Sequence, residues 1–117
     1  MSGGLGTPDE VGLVFGALAD PTRRWMVQSL LRDGGTTSVP ALASELPISR
    51  QAVAKHVVAL GEAGLLERAP SAGGREVHYR LRAGALDPAA AWIRAAESDW
   101  DDRLKRLKAN VEGAGGG

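Results

Sequence analysis

The stretch 49–64, SRQAVAKHVVALGEAG, holds the residues whose types and spacing suit the reading of a nucleic acid. The amide of Gln51 can pair with adenine, the guanidinium of Arg50 with guanine or a phosphate, and the methyl of Ala54 can touch a thymine methyl. At the helical period Gln51 and Lys55 point away from an apolar stripe. Arg50 lies about 60° from that stripe, which favours a phosphate contact. The pattern fits a DNA major groove, although an ordinary surface helix could also carry it.

Three further positions complete the candidate DNA-binding set. His56 lies at the flank of the apolar stripe, where two interpretations stay open: packing against the domain, or contact with a DNA phosphate. Arg75 follows two glycines in a loop and is a candidate for a minor-groove or phosphate contact. Ser49 is a good N-cap at the exposed start of the stretch. His78, on the polar face of a predicted strand, is interpreted as a solvated side chain.

Two short capped helices surround a tight turn at this point of the chain. Ser38 caps the first, predicted over Val39–Leu46, and Ser49 caps the second, which Gly64 ends. About three residues join the two helices, which is the helix-turn-helix pattern. The inward faces are predicted to be Val39, Leu42, Ala43 and Leu46 in the first helix and Val53, Val57 and Leu60 in the second.

After Gly64 the hydrophobic period changes from about 3.6 residues to two. Residues 65–68 are predicted as one strand and 76–81, which alternate strictly, as another. The loop 70–75 between them is rich in turn formers. A β-hairpin directly after a helix-turn-helix indicates a wing with a flexible, partly basic tip. Its apolar face is predicted to hold Val77, Tyr79 and Leu81, and its polar face Glu76, His78 and Arg80.

Two amphipathic helices are predicted ahead of these elements. The first covers Pro8–Leu18 with Thr7 as its N-cap, and the second covers Pro21–Arg32 with Asp20 as its N-cap. The sequence therefore predicts a mainly α fold with one small β-hairpin, in the order α-α-α-α-β-β-α. The predicted apolar face of the first helix holds Val11, Val14, Phe15 and Leu18, and the predicted inward residues of the second are Met26, Val27, Leu30 and Leu31.

The longest predicted helix is the last one, which begins at Asp87-Pro88 and runs to about Asn110. At about 23 residues it would be about 35 Å long, more than so small a domain can cover. Its heptad-like seam favours pairing with the first helix or with the same helix of a second subunit. The predicted dimer contacts are Val11, Phe15, Trp92, Ile93, Trp100, Leu104 and Leu107.

Composition bounds what the chain can do. Its 117 residues, 44% hydrophobic and 24% charged, indicate one domain of ordinary size. We expect that domain at 8–111, between Gly-rich ends at 1–7 and 112–117 that are predicted to be disordered. No apolar run approaches membrane-spanning length and no signal peptide is apparent, so a cytoplasmic location is expected.

Side chains that commonly form disulfides, metal sites or catalytic sites are scarce in the sequence. It has no cysteine and two histidines, which excludes disulfides and thiolate sites and disfavours a multi-histidine metal site. No catalytic constellation is apparent, so neither an enzyme nor a cofactor or metal is predicted. Because the net charge is zero, a nucleic-acid binder must concentrate its basic groups locally. Residues 45–82 hold six basic against four acidic residues, a weak excess of the required sign.

Three blocks of the sequence together resemble one known family: ALADPTRRWMVQSLL, SVPALASELPISRQAVAKHVVALGEAGLLER and GREVHYRL. In their order and spacing they are similar to the winged-helix transcriptional regulators of the arsenical-resistance repressor (ArsR/SmtB) family, from about residue 14 to residue 107. The resemblance implies a homodimer that pairs through its first and last helices, binds a DNA operator and mostly represses. It also implies that 49–63 reads the major groove while the wing contacts the flanking backbone or minor groove.

The sequence departs from the metal-sensing members of that family. Those members carry paired cysteines on the third helix, or histidine and carboxylate ligands on the last helix. Here the third helix reads ALASEL, and the last has no histidine beside its acidic residues, which alone are a poor set of transition-metal ligands. The resemblance is therefore to the metal-independent members. A second departure is Ala54, where many members place serine, so one hydroxyl is lost from the reading face. The acidic residues are Glu97, Asp99, Asp101 and Asp102.

Several alternatives stay open. Trp25, which replaces a usually charged position of the family, is assigned to the core ahead of a dimer contact or a ligand pocket. Arg23 and Arg24 are surface charges, or one of them neutralises an acid across the dimer. The main alternative to a DNA-binding repressor is a winged-helix module for protein interaction. A repressor switched by a small molecule at the tryptophan-lined interface of Trp92 and Trp100 is a third hypothesis.

Overall fold

The computed structural model describes residues 9–70 and 74–115, which form five helices and one antiparallel hairpin in the predicted order. This is the architecture of a winged helix-turn-helix domain. The helices are α1 (Glu10–Leu18), α2 (Pro21–Asp33), α3 (Val39–Glu45), α4 (Arg50–Glu62) and α5 (Asp87–Gly115), and the strands are β1 (Leu66–Ala69) and β2 (His78–Leu81).

Side-chain caps set the starts of the first four helices. The predicted caps of α2, α3 and α4 are confirmed, since the side chains of Asp20, Ser38 and Ser49 each accept a backbone amide three residues on. The predicted cap of α1 is wrong. Asp9 holds that place, because its two carboxylate oxygens accept two amides, those of Val11 and Gly12, at 3.2 Å each. Thr7, with Pro8, lies outside the described residues.

The core lies where α1, α2 and α4 meet the base of the hairpin. The predicted stripe of α4 is buried completely, and Met26 of α2 is equally inaccessible. Leu31 is a correction, because it was predicted to face inward and is 55% exposed. The side chain of Ser29 is buried instead. The buried face of α2 therefore runs through Met26, Ser29 and Leu30 and leaves Leu31 at its edge. The largest fully buried side chains are Met26, Val53, Leu60 and Leu65.

The hairpin is short and fixed at its base. β1 and β2 pair from Leu66↔Leu81 to Ala69↔His78, so β2 begins at His78 and the predicted start at Glu76 is wrong. Pro70 follows β1 and has no amide hydrogen to continue the ladder. The predicted apolar face is partly confirmed, since Tyr79 and Leu81 pack against the core whereas Val77 is 40% exposed. The flexible tip predicted at 70–75 falls partly on 71–73, outside the described residues.

The last helix is longer than predicted. α5 has 29 residues, or about 43 Å at 1.5 Å per residue, where about 23 residues were predicted, and it begins at Asp87 itself. Near its start it packs against α1, with the rings of Phe15 and Trp92 edge to face at 5.8 Å. Beyond this contact residues 97–113 are all exposed. No described helix has the length and apolarity to cross a membrane. The ends 1–8 and 116–117 lie outside the described residues.

Candidate nucleic-acid interface

The outer face of α4 presents the predicted polar side chains without engaging them. Arg50, Gln51 and Lys55 are exposed, and among the described residues none of the three has a hydrogen bond or an ion pair. The helix stays in place without these side chains, because Val53 and Val57 on its opposite side are buried in the core. Exposed donors without an internal partner keep their full capacity to bind base edges and phosphates.

Two small residues shape the start of this face. The Oγ of Ser49 accepts the amide of Ala52 at 3.1 Å, so its oxygen serves the cap while its hydroxyl hydrogen stays available as a donor. Ala54 is half-buried beside Gln51, and its short methyl side chain leaves a shallow depression between the longer side chains around it. A low apolar point between polar side chains can approach a thymine methyl group closely.

His56 belongs to a polar cluster that joins α4 to the start of α2. Its side chain is 22% exposed, and its Nδ1 lies 4.0 Å from Oδ2 of Asp20 and 3.4 Å from Nη1 of Arg23. The predicted packing against the domain is therefore present, and the ring stays partly open to solvent. The amide of Arg23 is the main reason that the pKa of Asp20 is lowered, and nearby His56 and the Arg23 guanidinium act in the same direction.

Arg23 and Arg24 are more than the surface charges that the sequence suggested. Nε of Arg23 donates to the carbonyl of Ala17 at 2.7 Å, and Nη1 of Arg24 donates to that of Leu18 at 2.7 Å. The two guanidinium groups thus cap the carboxyl end of α1, where backbone carbonyls lack helical partners. Sequence reasoning missed this role. Its signal was two arginines in the first turn of a helix that starts three residues after another helix ends.

The hairpin carries a further exposed basic side chain that is a candidate for DNA contact. Arg75 is exposed, next to the segment 71–73 outside the described residues. Further down the hairpin, Arg80 donates to Glu67 at 2.8 Å, so its charge is already neutralised by a partner. The side chain of His78 is 40% exposed, and its Nε2 lies 3.5 Å from Oε2 of the likewise exposed Glu76. The charge of Arg80 is thus engaged within the hairpin, whereas the exposed Arg75 stays a candidate for DNA contact.

The predicted dimer contacts lie together on α1 and α5. Phe15 is 37% exposed despite its contact with Trp92, and Val11 is half-buried. The remaining predicted contacts are exposed by 43 to 59%: Trp92, Ile93, Trp100, Leu104 and Leu107. Trp25 is not part of this surface, since it packs half-buried against the core as predicted. The described residues contain no group of three or more histidine, cysteine or acidic side chains that could hold a metal ion.

Known proteins share both the sequence pattern and this geometry. A family model for a helix-turn-helix domain matches residues 18–69. An ArsR-like transcriptional regulator from Rhodococcus sp. RHA1 is 39% identical, over 85% of this chain and 90% of that one, with a TM-score of 0.72. The chain belongs to the ArsR family. A possible transcriptional regulator for arsenical resistance is 36% identical over 89% of this chain and 97% of that one, with a TM-score of 0.60.

A more distant structure shares the fold of this ArsR-family member. It is a homodimeric winged helix-turn-helix DNA-binding domain from Mycobacterium bovis, 23% identical over 89% of this chain and 90% of that one, with a TM-score of 0.60. Among curated proteins, no match is found. Family and fold together make the protein a DNA-binding transcriptional regulator, which decides against the interaction module as the main function.

Proposed function

We propose that this regulator is a homodimeric repressor that lays one copy of α4 in each of two successive major grooves of a near-palindromic operator. The observation that carries the proposal is the exposed face of α4, where Arg50, Gln51 and Lys55 have no partner among the described residues. Gln51 would read adenine, Ala54 a thymine methyl, and Arg50 a phosphate. The half-sites would then lie about 10 bp, or a small multiple of that, apart.

The dimer is the second part of the proposal. It is supported by the exposed apolar residues of α5 beyond Trp92, which a single chain does not cover, and by the homodimeric relative from Mycobacterium bovis. Pairing through α1 and α5 would place the two α4 helices on one side of the molecule. The protein would act by binding, without catalysis, in the cytoplasm.

The remaining contacts would come from the flanks of α4 and from the hairpin. Ser49 and His56 border the α4 face, and the exposed Arg75 lies where a wing meets the DNA backbone or minor groove. A small-molecule effector at Trp92 and Trp100 stays a hypothesis, because both side chains lie open to solvent, at 56 and 58% exposure.

The test is selection of bound duplexes from a random library by the wild-type protein, followed by nuclease footprinting. We expect a near-palindrome and binding that weakens steeply with salt, because phosphate contacts dominate affinity. The variant with Gln51, Lys55 and Arg75 all changed to Ala should bind the selected duplex at least about a hundredfold more weakly. Each half-site would lose a base contact worth about 1–3 kcal/mol as well as its phosphate contacts.

The matched control changes Gln28, Lys108 and Arg32 to Ala, which removes the same three residue types from exposed positions on α2 and α5. Net charge falls equally in both variants, so bulk electrostatics cannot explain a difference between them. Wild-type affinity in the first variant, or an equal loss in both, would refute the docking through α4.

A further inference from the structure

We propose that Arg23 is a positioning residue for DNA binding: its guanidinium holds His56 in the tautomer whose Nε2–H donates to a DNA phosphate. The proposal rests on the proposed function in one respect, namely that α4 docks on DNA. The claim about the tautomer concerns the free protein and stands or falls without any DNA.

The contact between Arg23 and His56 fixes which ring nitrogen carries the proton. Nη1 of Arg23 lies 3.4 Å from Nδ1 of His56. A guanidinium has only donors and stays protonated in proteins, so the hydrogen bond requires a lone pair on Nδ1. In the neutral imidazole, the proton is then on Nε2, which becomes a donor.

The guanidinium is itself held in place. Nε of Arg23 donates to Ala17 at 2.7 Å and Nη2 lies 3.4 Å from the carbonyl oxygen of Gly16, while the backbone amide donates to Asp20 at 3.0 Å. Three nitrogens of one residue are therefore tied to the end of α1 and the start of α2. Arg23 is a fixed strut between these helices and the side chain of His56.

The opposite nitrogen of the ring is free to bind. Among the described residues, Nε2 of His56 has no hydrogen-bond partner, and no buried side-chain nitrogen or oxygen lacks one. Nε2 must therefore be accessible to solvent, although the side chain as a whole is only 22% exposed. His56 follows Lys55 directly on α4, so this donor borders the face proposed to enter the groove. A phosphate oxygen is the acceptor that such a position meets on DNA.

Asp20 offers the competing arrangement. Its Oδ2 lies 4.0 Å from Nδ1 of His56 and would attract a proton on that atom, whereas the Arg23 guanidinium would repel it. Without Arg23, this carboxylate would be the charged group nearest to Nδ1, and it would favour the Nδ1–H tautomer. Removal of Arg23 should therefore move the proton from Nε2 toward Nδ1.

The first measurement is the long-range ¹H–¹⁵N spectrum of the imidazole groups in the free protein at about pH 8, where an unperturbed imidazole is neutral. It distinguishes nitrogens that carry a proton from those that carry a lone pair. We expect Nε2 of His56 to carry the proton in the wild type and in Arg24→Gln, and to lose part of it in Arg23→Gln. A wild-type spectrum with the proton on Nδ1 would overturn the proposal.

Arg24→Gln is a matched control because Arg24 caps the same end of α1, at 2.7 Å from Leu18 and 3.1 Å from Ala19, without touching His56. Both variants lose one positive charge and similar capping bonds. Their thermal unfolding, measured in parallel, shows how far each loss of capping affects the fold.

The second measurement is affinity for the duplex selected by the wild type. Arg23→Gln should bind at least about tenfold more weakly than Arg24→Gln, because each of two subunits loses a hydrogen bond to a charged group. In a His56→Ala background, Arg23→Gln should cost no more than Arg24→Gln. Equal affinities of the two single variants, or an undiminished cost of Arg23→Gln without His56, would refute the role in DNA binding. If the wild type selects no duplex, that role falls with the proposed function, while the spectrum still decides the tautomer.

Discussion

At the scale of residues, the junction of α1 and α2 concentrates the polar interactions of the domain. α1 has nine residues, too few for a helix to be stable by itself in water. Asp9 satisfies its amino end, and the guanidinium groups of Arg23 and Arg24 satisfy carbonyls at its carboxyl end. Since Arg23 also contacts His56 on α4, the same side chain joins a proposed dimer helix to the proposed DNA-contacting helix.

Asp20 gives this junction a pH dependence of definite sign. Its pKa is lowered from the ordinary value of an aspartate, chiefly by the hydrogen bond from the amide of Arg23. A lowered native pKa stabilises the fold above the unfolded pKa, and that stabilisation is lost as pH falls through the native value. Wild type should therefore exceed Asp20→Asn in free energy of unfolding at pH 7, and the difference should shrink as the pH falls through and below the ordinary pKa of an aspartate. Urea unfolding at several pH values measures it.

The control for this experiment is Asp99→Asn, which removes the same charge from an exposed position of α5 without a cap or a neighbouring imidazole. It reports the effect of net charge alone. A difference between wild type and Asp20→Asn that stays constant from pH 7 to pH 3 would contradict the assigned cause.

At the scale of elements, the joint between α4 and the hairpin sets how the wing is aimed relative to α4. Gly64 takes a φ of 77° there, and its carbonyl accepts a hydrogen bond from Nε of Arg82 at 2.9 Å. Arg82 also closes the base of the hairpin through its amide, which donates to Leu65. The left-handed residue and the arginine thus determine the turn from helix to strand together.

Two glycines of this region should respond to alanine in opposite directions. Gly64→Ala should lower the free energy of unfolding by about 1–2 kcal/mol, because an alanine in the left-handed conformation costs about that much. The new Cβ would in addition lie only 3.2 Å from Nη2 of Arg82. Gly61→Ala, inside α4 and with ordinary contacts only, should raise it by about 0.5–1 kcal/mol. Chemical denaturation of both variants measures the pair. Equal effects would contradict the conformational argument.

The elements also show what the sequence could and could not predict. Periodicity and caps predicted α2, α3 and α4 closely, because an N-cap such as Ser38 or Ser49 acts locally. The start of α1 was placed too early because Thr7 and Asp9 are both competent caps, and only the fold decides between them. The predicted end of α5 near Asn110 was too early, because the helix continues through Gly113, although glycine commonly marks the end of a helix. Contacts across elements, such as Arg23 with His56, leave no periodic trace in the sequence.

At the scale of the whole molecule, one chain leaves its longest helix half uncovered. α5 contacts α1 near its start, yet Trp100, Leu107 and Val111 are exposed by 58 to 63% further along. Apolar side chains at a heptad-like spacing on a helix of about 43 Å favour a second helix as their cover. Pairing through α1 and α5, the dimer frame, would also fix the distance between the two α4 helices. The spacing of the operator half-sites would then depend on the geometry of the dimer.

Trp100→Glu combined with Leu107→Glu tests this frame. Each buried apolar side chain contributes about 1.5–3 kcal/mol, and both are lost twice in a dimer, so the dissociation constant should rise at least about a thousandfold. Sedimentation at micromolar concentration should then find a monomer. Val58→Gln is the control, since Val58 is as exposed as Trp100, at 58%, but lies on α4 and should leave the dimer intact.

The monomeric variant should keep its fold, because neither replaced residue belongs to the core of the single chain. Its affinity for the selected duplex should nevertheless fall by at least about a hundredfold, since linkage of two sites multiplies affinity by about 10²–10⁴. Circular dichroism and a gel shift on full and half operators separate the two effects. The monomeric variant should bind full and half operators with equal affinity, whereas the wild-type dimer should bind the full operator more tightly. A variant that sediments as a dimer, or a monomer with wild-type affinity, would show that this frame does not couple the subunits on DNA.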